Sequence, residues 1–339
     1  MQTAISPLVA RMQTALLLLL GKRSLLAGFL LLLPRCAATA FEPLVAAARD
    51  NRCDASGWKR LGKTALDAGE TAEAYRLFRQ GAKYCPDSLE LVHHSRVYDL
   101  FHGDEPNEIP QQQTARRGDF VAFEIPADAA PAALAAAEGL DLVFASSFPL
   151  LSREECDRLV AAAERVGSRR GWTTDRHADA PTCDLPVYEL RREVAQWVAQ
   201  MTRERLFPAV SELFPHTVPD SSTLRCQDCF VVRYDGNEAA GPGFRALRAH
   251  QDESLISLTV ALNDRDCYQD GGLWIASTGD VLNGDAGTAL CFAGEVTHGG
   301  FPVARGTRWI LTMFLHVDAN ASGREPGYML SEVVGPDVL

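Results

Sequence analysis

Two histidines and one aspartate near the C-terminus have residue types and spacing that suit metal chemistry. His250 and Asp252 stand one residue apart, just before the apolar run SLISLTVALN (254–263), and His298 follows Asp252 by 46 positions. On an extended segment, side chains two positions apart point to the same side. Two histidines and one carboxylate are the ligand set of the facial triad that holds non-haem Fe(II) and leaves coordination positions open.

Arg308 adds a cation to this pattern. It follows His298 by ten positions and begins the apolar run RWILTMFL (308–315). Its neighbours would remove the guanidinium from water, and a buried guanidinium needs an anion. The planar fork of the side chain suits a carboxylate. A His-x-Asp pair alone is usually structural, but these four residues among extended runs predict a metal site with an anion held nearby.

The segments that must position these residues change from helical to extended after Pro219. Before that point, Ser152 and Glu155 form a capping box that opens one predicted helix, and a second is predicted from about Val187 to Leu206. Five short β-rich runs follow: CFVVRYD (229–235), SLISLTVALN (254–263), GLWIAS (272–277), GTALCFAG (287–294) and TRWILTMFLHV (307–317). Helices followed by many short strands indicate an α+β fold whose strands form a sandwich or barrel.

These segments resemble those of Fe(II)- and 2-oxoglutarate-dependent dioxygenases of the prolyl and lysyl hydroxylase type. The likeness covers about residues 225–318, in particular to the catalytic domain of procollagen lysyl hydroxylases, with weaker helical similarity back to about Leu140. It is carried by FVVRYDG (230–236), HQDES (250–254), LTVALN (258–263), DGGLWI (270–275), GTALCFAGEVTHGGFP (287–302) and GTRWILTMF (306–314).

The resemblance implies a double-stranded β-helix, or jelly roll, as the catalytic fold. It implies His250, Asp252 and His298 as iron ligands, with no catalytic residue beyond the metal centre. It also implies Fe(II) as cofactor, 2-oxoglutarate and O2 as cosubstrates, and L-ascorbate as the reductant that restores over-oxidised iron.

The resemblance further assigns three residues to cosubstrate binding. Arg308 would pair with the distal carboxylate of 2-oxoglutarate, and Thr312 and Tyr234 would contact the same molecule. Some relatives have a cosubstrate-binding tyrosine in the strand after the His-x-Asp pair, where this chain has Ala261. The polar partner of the distal carboxylate is therefore left open.

Residues 1–40 are predicted to be a cleavable secretory signal. The segment holds four basic residues and no acid, and two leucine-rich runs precede Ala38-Thr39-Ala40. Neither run reaches the roughly 20 apolar residues that a membrane helix needs. We therefore expect a chain that enters the secretory pathway, begins at Phe41 and keeps no stable membrane span. A type-II membrane anchor and an organelle transit peptide are the alternatives.

A tetratricopeptide-like helical module is predicted at 41–100, since large and small residues fall at the repeat spacings in 58–86. It would bind peptide or act as a helical cap on the next domain. A polar, Pro/Ala-rich stretch at 101–139 predicts a linker. The dioxygenase domain is expected at 140–320, with its core at 225–318, and a tail at 321–339.

The composition of the chain limits the classes of molecule that it is expected to bind. The 339 residues carry a net charge of −11, which disfavours binding to nucleic acid. Three functions remain open: a hydroxylase of peptidyl proline or lysine in secretory proteins, a dioxygenase acting on a small molecule or another protein side chain, and an inactive binding module. The intact metal and arginine positions argue against the third.

Overall fold

The structure is a computed structural model that describes residues 53–67, 69–102, 115–177, 180–237 and 242–318. The predicted signal and the predicted tail lie outside the described residues. The chain divides into two compact units, Met1–Leu91 with Gly323–Leu339, and Val92–Ser322. Of the helices in the described ranges, none combines the length and apolar character that a membrane crossing requires.

The first unit contains a helical hairpin, as the repeat pattern predicts. Helices α1 (Ala55–Asp67) and α2 (Thr71–Tyr84) approach each other closely where a glycine of one faces a ring of the other. A Cβ on Gly62 would lie 2.2 Å from the Phe78 ring, so a larger residue would require that ring to move. The predicted N-terminal helices are confirmed, and their tetratricopeptide character remains a prediction.

In the described part of the second unit, ten strands form two antiparallel sheets that share one long strand. The strands are β1 (Phe120–Glu124), β2 (Asp141–Ser146), β3 (Asp184–Pro186), β4 (Leu224–Asp235), β5 (Leu247–His250), β6 (Ile256–Ala261), β7 (Tyr268–Ile275), β8 (Val281–Leu282), β9 (Ala289–Ala293) and β10 (His298–Val317). The larger sheet has the order β1-β2-β9-β6-β10-β4-β3. In the smaller sheet β10 pairs with β5 and β7, and β7 pairs with β8.

Strand β10 passes from one sheet to the other at Gly306. Residues 298–306 pair with β7, whereas residues 307–317 pair with β4. Gly306 has a φ of 73°, and a Cβ there would lie 2.3 Å from the Cys267 carbonyl oxygen, so glycine is required. The curled antiparallel arrangement is typical of a double-stranded β-helix. The predicted α+β class is therefore confirmed.

Helices cover one face of the larger sheet and leave its other face as the inner surface of the curl. Leu311 and Met313 join the large apolar cluster on the helical side, whereas Ile310 joins Phe230 in a smaller cluster inside the curl. The alternation means that every second residue of β10 faces inward. The helices that follow α2 in the described residues are α3 (Leu89–His102), α4 (Ala132–Glu138), α5 (Arg153–Arg170), α6 (Arg192–Met201), α7 (Phe207–Leu213) and the short α8 (Pro242–Arg245), whose Arg245 contacts Val303 of the inner cluster.

Element boundaries differ from the sequence predictions in two places. The predicted helix from Val187 to Leu206 begins only at Arg192, and a wider helical turn at Thr202–Leu206 joins α6 to α7. Within 101–139, for which a linker is predicted, β1 pairs with β2 at the edge of the larger sheet. The strand is the short alternating run FVAFE, which lies between polar and Pro/Ala-rich stretches. Because those stretches make up most of the segment, its composition predicts a linker.

Candidate active site

Strands β5 and β10 bring the two predicted histidine ligands side by side. His250 ends β5 and pairs with His298 at the start of β10, and their ring centroids lie 4.4 Å apart. Asp252 Oδ1 lies 3.1 Å from His250 Nε2, and Asp252 Oδ2 lies 3.6 Å from His298 Nε2. One ligand atom from each residue lies within 4.8 Å of the others. The three residues therefore form one cluster that can hold a metal ion.

Each histidine is oriented by a backbone carbonyl two residues before it. His250 Nδ1 lies 2.9 Å from the Arg248 carbonyl oxygen, and His298 Nδ1 lies 2.9 Å from that of Val296. A carbonyl can only accept, so Nδ1 carries a proton, and in the neutral imidazole Nε2 holds the lone pair. This is the tautomer that a metal ligand needs. A ring contact from Phe292, at 4.6 Å, also supports His298.

The protonation preferences of the triad differ from residue to residue. Burial raises the pKa of Asp252, but the hydrogen bond with His250, the nearby His298 and the Ser257 hydroxyl outweigh it and lower the pKa below 3.8. Burial lowers the pKa of His298 below 6.5. Burial acts in the same direction on His250, but Asp252 outweighs it and raises the pKa. The cluster thus favours an ionised carboxylate at neutral pH, as metal binding requires.

Arg308 and Tyr234 lie opposite each other inside the curl. They pair across β10 and β4, and the Arg308 guanidinium carbon lies 5.6 Å from the centre of the Tyr234 ring. Arg308 is 4% exposed, and its Nε is buried without a hydrogen-bond partner in the described structure. Burial raises the pKa of the Tyr234 phenol to about 12, which keeps it a donor at neutral pH. Both groups are suited to receive a carboxylate.

Thr312 lies on the same inner face as Arg308, four residues along β10. It is buried and pairs with Phe230 on one side and Thr259 on the other. Ala261, where some relatives have a tyrosine, pairs with Ile310 and offers no polar group. The structure thus gathers all six predicted site residues in the inner part of the curl and its mouth.

Sequence reasoning missed a buried group of ions on the same inner surface. Arg176 Nη2 lies 3.0 Å from Asp228 Oδ2, its Nε donates to Asp184, and His93 Nε2 lies 3.0 Å from Asp228 Oδ1. The Arg176 guanidinium also stacks on Phe230, at 4.9 Å. These residues come from three separate segments of the chain, so no local motif could reveal the whole group. The available signal was Asp228, a charged residue in an otherwise apolar inward row of β4.

The strand register fixes where this ion group lies relative to the metal ligands. Phe314 of β10 pairs with Asp228 of β4 on one side and with Ser257 of β6 on the other. Ser257 in turn donates to Asp252. With neighbouring strands about 4.8 Å apart, Asp228 lies about 10 Å across the sheet from Ser257. The ion group therefore forms part of the wall beside the triad.

The residues present fit both groups that the resemblance implies. The two imidazoles and one carboxylate offer a compact donor set for Fe(II) that leaves coordination positions open. The buried, unpartnered Arg308 Nε marks a place for an anion on the inner face of the strand that also carries His298. A buried cation of this kind is what the distal carboxylate of 2-oxoglutarate would need.

No family model matches the chain, but curated proteins do. Over 183 residues, half of this chain, it is 35% identical to the human multifunctional procollagen lysine hydroxylase and glycosyltransferase LH3. It is 30% identical over 186 residues to the corresponding multifunctional enzyme of Caenorhabditis elegans, and 28% identical over 181 residues to human procollagen-lysine,2-oxoglutarate 5-dioxygenase 2. The matched part spans 23% of the length of these relatives.

Two solved structures are similar to the chain over about half of its length. The viral collagen prolyl hydroxylase of Paramecium bursaria Chlorella virus-1 has a TM-score of 0.36 and 20% identity, covering 52% of this chain and 96% of that one. A Pseudomonas putida prolyl-4-hydroxylase has a TM-score of 0.39 and 18% identity, covering 55% and 98% respectively.

The curled sheet, the His-Asp-His triad and the sequence similarity together resemble one class of protein, the Fe(II)- and 2-oxoglutarate-dependent oxygenases. The resemblance to this superfamily is confirmed. Within it, half of the chain resembles the procollagen lysyl hydroxylases.

Proposed function

We propose that the chain is a 2-oxoglutarate-dependent dioxygenase that hydroxylates proline or lysine side chains of peptides in the secretory pathway. The observation that carries the proposal is the buried Arg308 with its unpartnered Nε, on the strand that also presents His298 to the triad. When Fe(II) is bound, it supplies the redox chemistry that couples oxidative decarboxylation of 2-oxoglutarate to succinate with hydroxylation of the substrate.

The chain's own residues would bind and orient the reactants. His250, Asp252 and His298 would hold the metal through two Nε2 atoms and a carboxylate oxygen. Arg308 would hold the distal carboxylate of 2-oxoglutarate, and the protonated Tyr234 phenol would donate to the same molecule. The apolar walls of the curl would exclude water from the reacting centre.

The proposed substrate class and the proposed cellular location are supported by observations other than the site geometry. Similarity to procollagen lysyl hydroxylases favours a peptide substrate, and the acid-free leucine-rich leader favours the secretory pathway. The helices of the first unit would then bind peptide. Sequencing the N-terminus of the exported protein tests the location, and a start at Phe41 is expected. A product that retains Met1 in the cytosol would contradict it.

Succinate formation tests the proposed activity. The protein is loaded anaerobically with Fe(II) and 2-oxoglutarate and exposed to oxygen with peptides that contain lysine, proline or neither. We expect succinate in proportion to hydroxylated lysine or proline. His250→Ala should lose metal binding and turnover while the fold survives, since a half-buried ligand rather than a core side chain is removed. Full turnover by this variant would rule out the assigned metal site.

A further inference from the structure

A short chain of hydroxyl groups supports the metal-ligand carboxylate. The Ser257 hydroxyl donates to Asp252 Oδ2, and Ser254 Oγ lies 2.8 Å from Ser257 Oγ. Ser254 is 4% exposed and Ser257 is fully buried, so water does not compete for these bonds. The Asp252 backbone is fixed as well, because its N–H donates to the Gly294 carbonyl oxygen at 2.8 Å.

The two oxygens of Asp252 consequently differ. Oδ2 accepts a charge-assisted hydrogen bond from Ser257 and lies 3.6 Å from His298 Nε2, whereas Oδ1 faces His250 Nε2 at the shorter distance of 3.1 Å. An oxygen that already accepts such a bond is the poorer metal donor, since part of its charge is committed. Oδ1 is therefore the oxygen left for a metal ion that His250 and His298 share.

We propose that Ser257 is a positioning residue for the metal centre: it fixes the rotation of the Asp252 carboxylate and leaves Oδ1 for the metal. This inference rests on the proposed function, because it assumes that the triad binds a metal. Ser254 acts one step further out by orienting the Ser257 hydroxyl.

Ser257 is the part of this support that substitution can test. The partners that orient the two histidines are backbone carbonyls of Arg248 and Val296, which substitution does not remove. The partner of Asp252 is a side chain on β6, five residues further along the chain. Loss of such an outer partner typically weakens metal affinity by about 10- to 100-fold.

Binding of Mn(II) to the full-length, metal-free protein tests the proposal without turnover. Dissociation constants are measured by calorimetric titration at a temperature where each variant is folded. We expect Ser257→Ala to raise the Mn(II) dissociation constant about 10- to 100-fold and Ser254→Ala to raise it less. Ser257→Thr keeps the hydroxyl and should bind nearly as tightly as the natural protein, a rescue that a merely structural role would not produce.

The outcomes separate this inference from the proposed function. If Ser257→Ala binds Mn(II) as tightly as the natural protein while His250→Ala does not bind, the positioning role is wrong and the metal site stands. If His250→Ala also binds normally, the metal site itself is wrong. If Ser257→Ala does not fold, Ser254→Ala and Ser257→Thr decide, and equal affinity in Ser254→Ala together with weak binding in Ser257→Thr would overturn the proposal.

Discussion

Arg308 is the residue whose replacement should separate cosubstrate binding from metal binding. Loss of one partner of a buried charge pair costs about 2–5 kcal/mol, which is a roughly 30-fold to several-thousand-fold loss of affinity. Arg308→Ala should therefore raise the 2-oxoglutarate concentration that half-saturates succinate formation by such a factor and leave the iron content nearly intact. Arg308→Lys should be milder, because it keeps the cation.

Arg305 provides the matched control for this substitution. It lies three residues earlier on β10 but is exposed to solvent. Arg305→Ala should leave the half-saturating concentration unchanged. An equally normal value in Arg308→Ala, with iron measured in the same samples, would mean that the anchor of the distal carboxylate lies elsewhere.

Among single residues, the sequence predicts those whose role follows from a short motif or from a known set of metal ligands. His250, Asp252 and His298 could be named because their types and spacing suit one ligand set, and the structure places them together. Ser257 could not be named, since a serine five positions after the aspartate gains meaning only from the curvature between β5 and β6. The contact of Arg176 with Asp228 spans 52 positions, and a sequence pattern carries no information on such a pairing.

Among the elements, the crossing of β10 at Gly306 is the feature on which the site depends. A residue with a side chain there would adopt a strained left-handed conformation and also meet the Cys267 carbonyl oxygen. Gly306→Ala should lower the free energy of unfolding by more than the roughly 1–2 kcal/mol expected from conformation alone. Denaturant-induced unfolding of both proteins measures this difference in the free energy of unfolding.

The variant Gly279→Ala measures the conformational contribution to this loss of stability alone. Gly279 has a φ of 77°, close to that of Gly306, but a Cβ there would meet no atom within 4 Å. Gly279→Ala should therefore cost about 1–2 kcal/mol and no more. Equal losses for the two variants would show that the close approach at Gly306 contributes nothing.

Helix α3 lies at an edge of the larger sheet, and its residue His102 should make the second unit less stable at low pH. His102 Nε2 accepts a hydrogen bond from the Cys226 backbone N–H at 3.0 Å, and burial, with Arg225 and Arg203 nearby, lowers its pKa well below 6.5. The unfolded chain takes up this proton near pH 6.5, whereas the folded protein does not. Stability should therefore be full above pH 6.5 and fall as the pH drops below it.

Replacing His102 by glutamine tests the source of this sensitivity. His102→Gln keeps an acceptor for the Cys226 N–H but cannot be protonated. The loss of unfolding free energy between pH 7.5 and pH 5.5 should be smaller in the variant than in the natural protein. An unchanged difference would show that other groups cause the acid sensitivity, such as His177, whose pKa burial also lowers.

Some features of the helices and strands could be predicted from the sequence and others could not, for physical reasons. The capping box at Ser152 follows from local hydrogen bonding, and it is observed. By contrast, Cys226 and Cys229 have spacing that would normally put them on opposite faces of β4. An extra residue, Gln227, shifts the register against β10, so both thiols reach the apolar cluster on the helical side. Such a bulge depends on the partner strand.

For the whole molecule, the division into two units predicts how metal binding changes unfolding. All three triad residues lie in Val92–Ser322, so a metal ion bound to the triad should stabilise that unit directly. A ligand present at 100 times its dissociation constant stabilises the folded state by about 2.7 kcal/mol. For a unit of this size about 1 kcal/mol corresponds to about 2–4 °C, so a shift of about 5–10 °C is expected.

Calorimetry of the full-length protein with and without Mn(II) measures this shift. We expect two transitions, of which the one assigned to Val92–Ser322 rises with Mn(II) and returns when a chelator removes the ion. His250→Ala should retain both transitions and lose the shift, because one of the three ligands is gone while the β5–β10 pairing remains. A single transition that rises as a whole would mean that the two units unfold cooperatively. A shift that persists in His250→Ala would place the stabilising metal outside the triad.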